Sequence, residues 1–372
     1  MSTGARTEVV VVGGGPAATA TAVTLARAGV DTTLVAGPAP DGSYRPGEGA
    51  PPGTDRIVHQ IFGSELRAFD PAAHLPAYGN RSAWNSDELV TTDFMFNPFG
   101  AGWHLDRGAF DARLLDATAA AGVDVLRDTS VVESTWDGGW HLHVAGDTDR
   151  ELRATFVCDA SGRRAVVARA HGAPVEHTDR LTALACILRT DDDSDTDPHT
   201  IVEATPDGWW YTARLPRGLR VATYFTDPDL VDLVRLRHAA AFTDLLSSTT
   251  HVAAVVAGHH YSIETAPTIA PAATTRLRSP VGPGWLAVGD AASTFDPLSS
   301  QGILTALVMG REAGTAAAHL CTRTAACAAE SYASGYERIV ETYRRDRDHC
   351  YGSERRWSAR AFWARRHTAP PS

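Results

Sequence analysis

Two glycine-bearing turns lie near opposite ends of the chain, and each offers a grip on an anionic or hydroxylated ligand. The first is Gly13-x-Gly15-x-x-Ala18. It follows the apolar run of residues 8–12 and precedes an alanine-rich stretch that ends near Gly29. A strand, a tight turn and a helix in that order aim backbone N–H groups and the positive end of the helix dipole at a pyrophosphate. Gly13 permits the turn, Gly15 lets the backbone approach the phosphates, and Ala18 lets helix and strand pack closely. Pro16 and Ala17 open the helix at the same place. The second turn lies in "GWLAVGDAASTFDPLSSQGI", residues 284–303. A strand ends on Gly289 and Asp290, a loop carries Pro297, and a helix opens near Ser300, Gly302 and Ile303. One long ligand folded across a sheet accounts for both turns, and FAD is such a ligand. Asp290 then accepts hydrogen bonds from the ribityl hydroxyls. The helix start faces the flavin pyrimidine edge, which gains negative charge on reduction. Pro297 limits the backbone donors beside the ring.

The elements that must hold these turns are legible as well. Residues 32–35 form the second strand, ending "LVAG". Ala36 thus stands where an acid usually holds the ribose. Either Arg45, another group or water replaces that acid, or the adenosine end is held loosely. Residues 41–53 read as loop. Residues 107–121 read as a helix, and "VDVLRD", "SVVESTW" and "GGWHLHVAG" as antiparallel strands. "ATFVCDASG" is a further buried strand, ending on Asp159. Residues 182–189, 200–204, 209–214 and 219–226 predict a second antiparallel sheet. The acidic run 191–198 reads as a solvated hairpin, without the spacing of an EF-hand. A helix is expected over 229–248. His259 and His260 would point to opposite faces of a strand and share no metal. The tail beyond 330 is helical and rich in arginine and aromatics, either receiving a substrate or forming a solvated face.

Taken together, "GGGPAA", "DRGAFDARLLDA", "CDASGR" and "GDAASTFDPLSSQGI" resemble the FAD-dependent aromatic hydroxylase superfamily, the fold of p-hydroxybenzoate hydroxylase. "RPGEGAPP", "GWWYTARLP", "FDPLSSQG" and "RRWSARAFWARR" resemble its tryptophan-halogenase-like branch. Within that branch they are closest to flavoproteins that hydroxylate aromatic residues of peptide or protein precursors. The resemblance implies an α/β fold in three parts. A Rossmann-like FAD-binding domain takes residues 1–75, 95–168 and 265–330. An antiparallel-sheet substrate domain, 76–94 and 169–264, is interleaved with it, and a helical segment, 331–372, closes the chain. The resemblance also implies that Arg107 contacts the FAD, that Asp159 and Gly162 belong to a second FAD-side turn, and that residues 297–302 lie beside the isoalloxazine.

Which flavin chemistry follows depends on lysine. Halogenases of this branch use a lysine to capture or guide hypohalous acid, and this chain contains none; all 34 basic residues are arginine. A guanidinium stays protonated and is a poor nucleophile. The halogenase W-x-W-x-I-P signature is only partly met by "WWYTARLP". The expectation is therefore a monooxygenase that hydroxylates an indole or phenol through a flavin C4a-hydroperoxide, on a substrate that is free, carrier-bound or peptidic. A lysine-free halogenase, a prenyl-type flavin reductase and a flavin-binding partner protein without chemistry remain as alternatives. Glu48, in "PGEG", is the first candidate for a catalytic carboxylate near the flavin, the other reading being an exposed loop residue. Pro297 and Ser300 are the other candidates beside the ring; Ser299 and Ser300 also suit helix capping. His59 and His104 are weaker candidates. Trp209, Trp210, Tyr211 and Phe96 are candidates for substrate contact, with core packing as the competing role. No second G-x-G-x-x-G is present, so either NAD(P)H visits transiently or a separate flavin reductase supplies electrons.

Composition bounds the rest. A chain of 372 residues exceeds one core, and 44% hydrophobic with 21% charged residues is ordinary for a globular protein. A net charge of −10 argues against nucleic-acid and membrane-surface partners. Five scattered cysteines read as reduced thiols of a cytoplasmic protein, not as a disulfide or zinc framework. The N-terminal stretch lacks a signal-peptide pattern, and no apolar run spans a bilayer.

Overall fold

In the computed structural model, which describes residues 5–38, 47–320 and 325–367, the strand Ala5–Val12 sits at the centre of an eight-stranded sheet. It pairs in parallel with Thr32–Val35 on one side and with Arg150–Asp159 on the other. Trp285–Ala287 extends the sheet beyond Arg150–Asp159, also in parallel. Val9, Val10 and Val11 are fully buried, as expected of a strand covered on both faces. "VDVLRD" departs from the antiparallel expectation: Asp124–Leu126 runs parallel to Thr32–Val35. The reason is the preceding helix, Arg107–Ala120, which supplies the crossover that a parallel pair needs. Thr129–Trp136 and Trp140–Gly146 do form antiparallel pairs at the edge of Arg150–Asp159.

Two helices lie against each other on this sheet, Pro16–Arg27 and Gly302–Leu320. Their approach requires glycine. A Cβ on Gly310 would fall 2.5 Å from the Ala17 carbonyl oxygen, and one on Gly314 would fall 2.7 Å from that of Thr21. The two ligand-facing turns are therefore held in one rigid unit, although 276 residues separate Gly13 from Gly289.

The second sheet runs in the order Ser262–Ile263, Thr182–Arg189, Leu219–Thr226, Gly208–Leu215, His199–Thr205, Gly79–Ala83, Val90–Asp93. Thr268–Pro271, assigned by sequence to the nucleotide unit, pairs instead with Thr182–Arg189 in this sheet. Leu184, Trp210 and Tyr224 pack on one face beneath Phe242, Leu246 and Val252. Trp209 and Phe225 face the other way. The helix expected over 229–248 is broken into Leu233–Leu236 and Ala239–Ser247. A further helix, His251–Gly258, follows at 116° to Ala239–Ser247. His259 and His260 end that helix in a turn and do not lie in a strand. No single described helix is long and apolar enough to cross a membrane.

The acidic run is not a hairpin. It joins Thr182–Arg189 to His199–Thr205, which are not neighbours in the sheet. The crossing carries Asp195 over the buried Arg220, whose guanidinium it meets at 2.7 Å, and the Tyr261 hydroxyl donates to the same carboxylate. Arg220 has 0% exposure, and a charge so placed requires a counter-charge. In the C-terminal segment, helices Ala325–Ser353 and Ala361–His367 with their connection, Arg338, Arg344, Arg345 and Arg355 are exposed, as a solvated face requires, whereas three other arginines turn inward. Arg347 meets Asp179, Arg356 meets Glu354, and Arg366 meets Asp227. Tyr351, Phe362 and Trp363 are fully buried in the same cluster as Trp209 and Phe225.

Candidate functional site

Gly13 has φ +134°, and a Cβ there would lie 2.1 Å from the Ala160 carbonyl oxygen. The bare backbone thus lets the strand end sit against the end of Arg150–Asp159. Gly15 differs: its φ is −89°, and a Cβ would meet nothing within 4 Å. That space belongs to the cleft. Gly15 is the N-cap of Pro16–Arg27, with Pro16 in the first turn, no acidic residue there and no side-chain cap. The helix start consequently presents backbone donors and positive potential to the cleft. Ala17 lines the cleft, whereas Ala18 is fully buried and packs inside. Ala36 lines the cleft's far end with Arg127, Asp128 and Ser130. Arg45 lies outside the described residues.

Gly289, at φ +61°, brings the second turn onto the first: a Cβ there would lie 2.7 Å from the Ala17 Cβ. Asp290 faces the cleft, with Arg163 at 3.8 Å. Its enclosure raises the carboxyl above the usual range, while Arg163 and Arg107 pull it down. Arg107 opens the helix Arg107–Ala120, and its guanidinium donates to the Gly47 carbonyl at 3.0 Å and to Asp111 at 3.2 Å. Beyond Asp290, the Asp296 carboxylate accepts from the Leu298 N–H at 2.9 Å and so shapes the turn Pro297–Ser299. Ser300 follows at φ +49°, and Gly302 begins the long helix with open space where a Cβ would be. Ile303 is 4% exposed and packs with Leu307 and Phe110 beneath the cleft floor. Ser299 donates to the Asp296 carbonyl at 3.3 Å, and the cap of this turn is Asp296 rather than Ser299 or Ser300.

Asp159 requires a correction. Its carboxylate accepts from the Ser161 N–H and hydroxyl and from the N–H groups of Val167 and Ala168, at 2.6–3.1 Å. It is fully buried and braces the turn from inside. Ala160, Ser161 and Gly162 are the residues of that turn that reach the cleft.

The wall opposite comes from the second sheet. Trp209 stacks on Phe225, with ring centroids 4.0 Å apart and planes 20° from parallel. Its indole N–H donates to the Tyr351 hydroxyl at 3.0 Å. Tyr211 also faces the cleft, two residues on. Trp210, between them, points away and packs on Tyr224 and Phe242, so it is core. Phe96 is 91% exposed on the loop after Val90–Asp93 and does not reach the cleft. Glu48 is not an exposed loop residue. It is 3% exposed, lines the cleft, and its backbone carbonyl accepts from the Leu105 N–H at 2.8 Å. The Glu48 carboxylate lies near enough to the Tyr211 hydroxyl for its charge to act on it. Burial and the Glu48 charge hold that phenol well above its usual pKa. His104 stands behind Thr200, with its Nε2 3.0 Å from the hydroxyl. Burial, then Arg220, pushes its pKa down to about 4, so the ring is neutral at pH 7. His59 is exposed on Thr54–Phe62, away from the cleft.

The cleft-facing residues among these line one cavity of about 1350 Å³. Small-ligand pockets span roughly 300–1,000 Å³, so the space exceeds what one ordinary ligand fills. Sequence reasoning missed Asp296 and Tyr351. Asp296 had a local signal, since an Asp before Pro favours a turn closed by its own side chain. Tyr351 had none, because its partners lie 142 and 55 residues away.

The tryptophan halogenase family pattern matches residues 80–371. The putative FAD-dependent oxidoreductase LodB of Marinomonas mediterranea is 30% identical over 379 residues, covering 97% of this chain and 96% of that protein. Among solved structures, QhpG, a peptidyl tryptophan dihydroxylase essential for tryptophylquinone cofactor biogenesis, is similar with a TM-score of 0.76 and 26% identity. That match covers 98% of this chain and 80% of QhpG. The myxobacterial chondrochloren halogenase CndH shares the fold, with a TM-score of 0.86 at 21% identity over 98% of this chain and 86% of that one.

Proposed function

The chain belongs to the tryptophan halogenase family, as a flavin-dependent enzyme with FAD as cofactor, and we propose that it is a monooxygenase that hydroxylates an indole or phenol ring. The observation that carries this reading is a pairing of composition and site. The chain has no lysine anywhere, while a buried carboxylate, Glu48, lies beside Tyr211 on the cleft wall. QhpG's activity on a peptidyl tryptophan makes a peptide-borne tryptophan or tyrosine the first substrate to test.

The cleft fits FAD. The open space at Gly15 admits a pyrophosphate that a side chain would exclude, and the start of Pro16–Arg27 would hold it. Asp290 would accept from the ribityl hydroxyls. Arg107 and Arg163 would balance charge along the chain of the cofactor, and the turn Pro297–Ser299 with Ser300, Gly302 and Ile303 would border the ring. When bound and supplied with electrons by NAD(P)H or by a separate flavin reductase, the cofactor would supply the reducing equivalents that activate dioxygen. One oxygen atom enters the ring, the other leaves as water, and two electrons and two protons are consumed. Trp209 and Tyr211 would hold the substrate ring and exclude water from that side. Glu48 would take the proton that the ring carbon releases as aromaticity returns, with the Tyr211 hydroxyl beside the carboxylate.

The test supplies the FAD-loaded protein, a flavin reductase and peptides carrying one tryptophan or tyrosine. A gain of one oxygen atom, labelled by ¹⁸O₂ and unaffected by bromide, is the expected result. The family and the CndH fold favour halogenation as the second reading, and bromide-dependent bromination would establish it instead. Turnover that proceeds without dioxygen would point to a reductase.

A further inference from the structure

Three distant segments meet at the hydroxyl of Tyr351. The Trp209 indole N–H donates to it at 3.0 Å, and it donates in turn to the Asp296 carboxylate at 2.7 Å. An indole nitrogen only donates, and the Tyr351 hydroxyl that accepts from it spends its own proton on Asp296, so the chain runs from the cleft wall through Tyr351 to Asp296. The second oxygen of Asp296 holds the Leu298 N–H, and the Asp296 N–H donates to the Tyr343 hydroxyl at 2.7 Å. Asp296 is 1% exposed, and Arg347 lies 3.8 Å from the oxygen that Tyr351 also holds. The Tyr351 ring itself cannot shift easily. Arg347 and Arg366 lie over it at 5.1 and 5.3 Å, and Trp84 and Trp363 pack about it.

We infer that Tyr351 is a positioning residue for the flavin. Seated by the C-terminal helices, it fixes Asp296, and through Asp296 the turn Pro297–Ser299, in register with the aromatic wall at Trp209. This inference rests on the reading that places this turn beside the flavin ring. In a water-poor interior, losing one hydroxyl leaves both an indole N–H and a carboxylate oxygen short of a partner. The turn is then set less sharply, and the start of Gly302–Leu320 stabilises the reduced, anionic flavin less well.

The experiment compares wild type with Tyr351→Phe and Asp296→Asn, titrating each protein with FAD by flavin fluorescence and measuring the midpoint potential of the bound flavin. Tyr351→Phe keeps the ring and removes only the oxygen. The expected result is a five- to twentyfold weaker FAD affinity and a more negative potential in both variants. The double variant should lose little beyond either single one, because both act on one chain. A lowered melting temperature with unchanged FAD affinity and potential would overturn the inference and leave Tyr351 a packing residue. Additive effects in the double variant would overturn it too. If Tyr351→Phe fails to fold, Asp296→Asn carries the same two readouts, and their constancy there would likewise overturn it. Asp290→Ala serves as a separate check. If it leaves FAD affinity untouched, the cofactor reading itself fails, whatever Tyr351→Phe does.

Discussion

Gly13 and Gly15 are two residues apart in one turn, yet replacing each with alanine has opposite consequences. At Gly13 the new Cβ would sit 2.1 Å from the Ala160 carbonyl oxygen and 2.7 Å from its carbon, at φ +134°. Both atoms are backbone and cannot swing away. The conformation alone costs about 1–2 kcal/mol, and relieving the clash costs more. Against a total stability of roughly 5–15 kcal/mol, Gly13→Ala should lose a large share of the folded protein even without cofactor. At Gly15 a Cβ finds open space at a φ and ψ any residue adopts, −89° and −176°. Alanine is a poorer N-cap than glycine, a loss of about 1 kcal/mol or less. Gly15→Ala should therefore melt close to wild type without cofactor. A methyl group would, however, occupy the place the pyrophosphate needs. A tenfold or greater loss of FAD affinity is expected, which is about 1.4 kcal/mol or more. Urea unfolding of the FAD-free proteins and a fluorescence titration with FAD separate the two effects. Wild-type affinity in Gly15→Ala would refute the argument, since it would mean that nothing binds where the backbone is bare.

The other predictions concern stability and cofactor retention. His104 has a folded pKa of about 4 against 6.5 for an unhindered ring, so the unfolded chain binds a proton that the folded chain refuses. Its stabilising effect is complete above the unfolded value and is lost as pH falls from about 6.5 to about 4, by roughly 3 kcal/mol in all; His104→Gln should flatten that part of the stability–pH curve. Trp210→Ala should cost about 3–5 kcal/mol of stability with FAD affinity unchanged in whatever remains folded, while Phe96→Ala should change neither quantity. With Ala36 where a ribose-binding acid is expected, the protein should purify with less than one FAD per chain, and a fully loaded preparation would contradict that.

How much of this was legible follows from the distance over which each feature is determined. The strand–turn–helix at Gly13–Ala18 is set by neighbours in sequence, and the glycines announce it. So is the second turn at Gly289-Asp290. The aromatic run in Gly208–Leu215 suited a strand but did not show which face was which. Trp209 and Trp210 looked equivalent until the helices over Trp210 were in place. Asp159 was placed on the FAD side by the resemblance alone, and a carboxylate at a strand end suits a ligand and a helix start equally well. Only the position of Val167 and Ala168 decided for the helix. Asp191 and Asp193 in the acidic run are exposed as expected, but nothing local reveals that the chain there crosses two strands and buries Asp195 over Arg220.

Several arginines of the C-terminal helices are likewise placed by partners distant in sequence. The density of arginine there suggested either a surface for an acidic substrate or a solvated face, and Arg338, Arg344, Arg345 and Arg355 are indeed exposed. Arg366 is instead fixed to Asp227 at 2.7 Å, both of them buried, and Arg365 meets the same carboxylate at 2.9 Å. Removing either partner of a buried pair strands the other charge, at a cost of about 3–5 kcal/mol. Asp227 follows the strand Leu219–Thr226, so the pair locks the C-terminal helices to the sheet that bears Trp209 and Tyr211. Arginine content there reports how the cleft wall is braced, and substrate charge must be sought in the cleft itself. There Glu48 and Asp290 line the cavity together with Arg107, Arg163, Arg189 and Arg217, and Arg163 lies 3.8 Å from Asp290. Asp227→Asn should accordingly lower the melting temperature of the FAD-free protein. It should leave the charge preference among peptide substrates unchanged, because the arginines it disturbs do not line the cavity. A changed preference would return those arginines to the substrate.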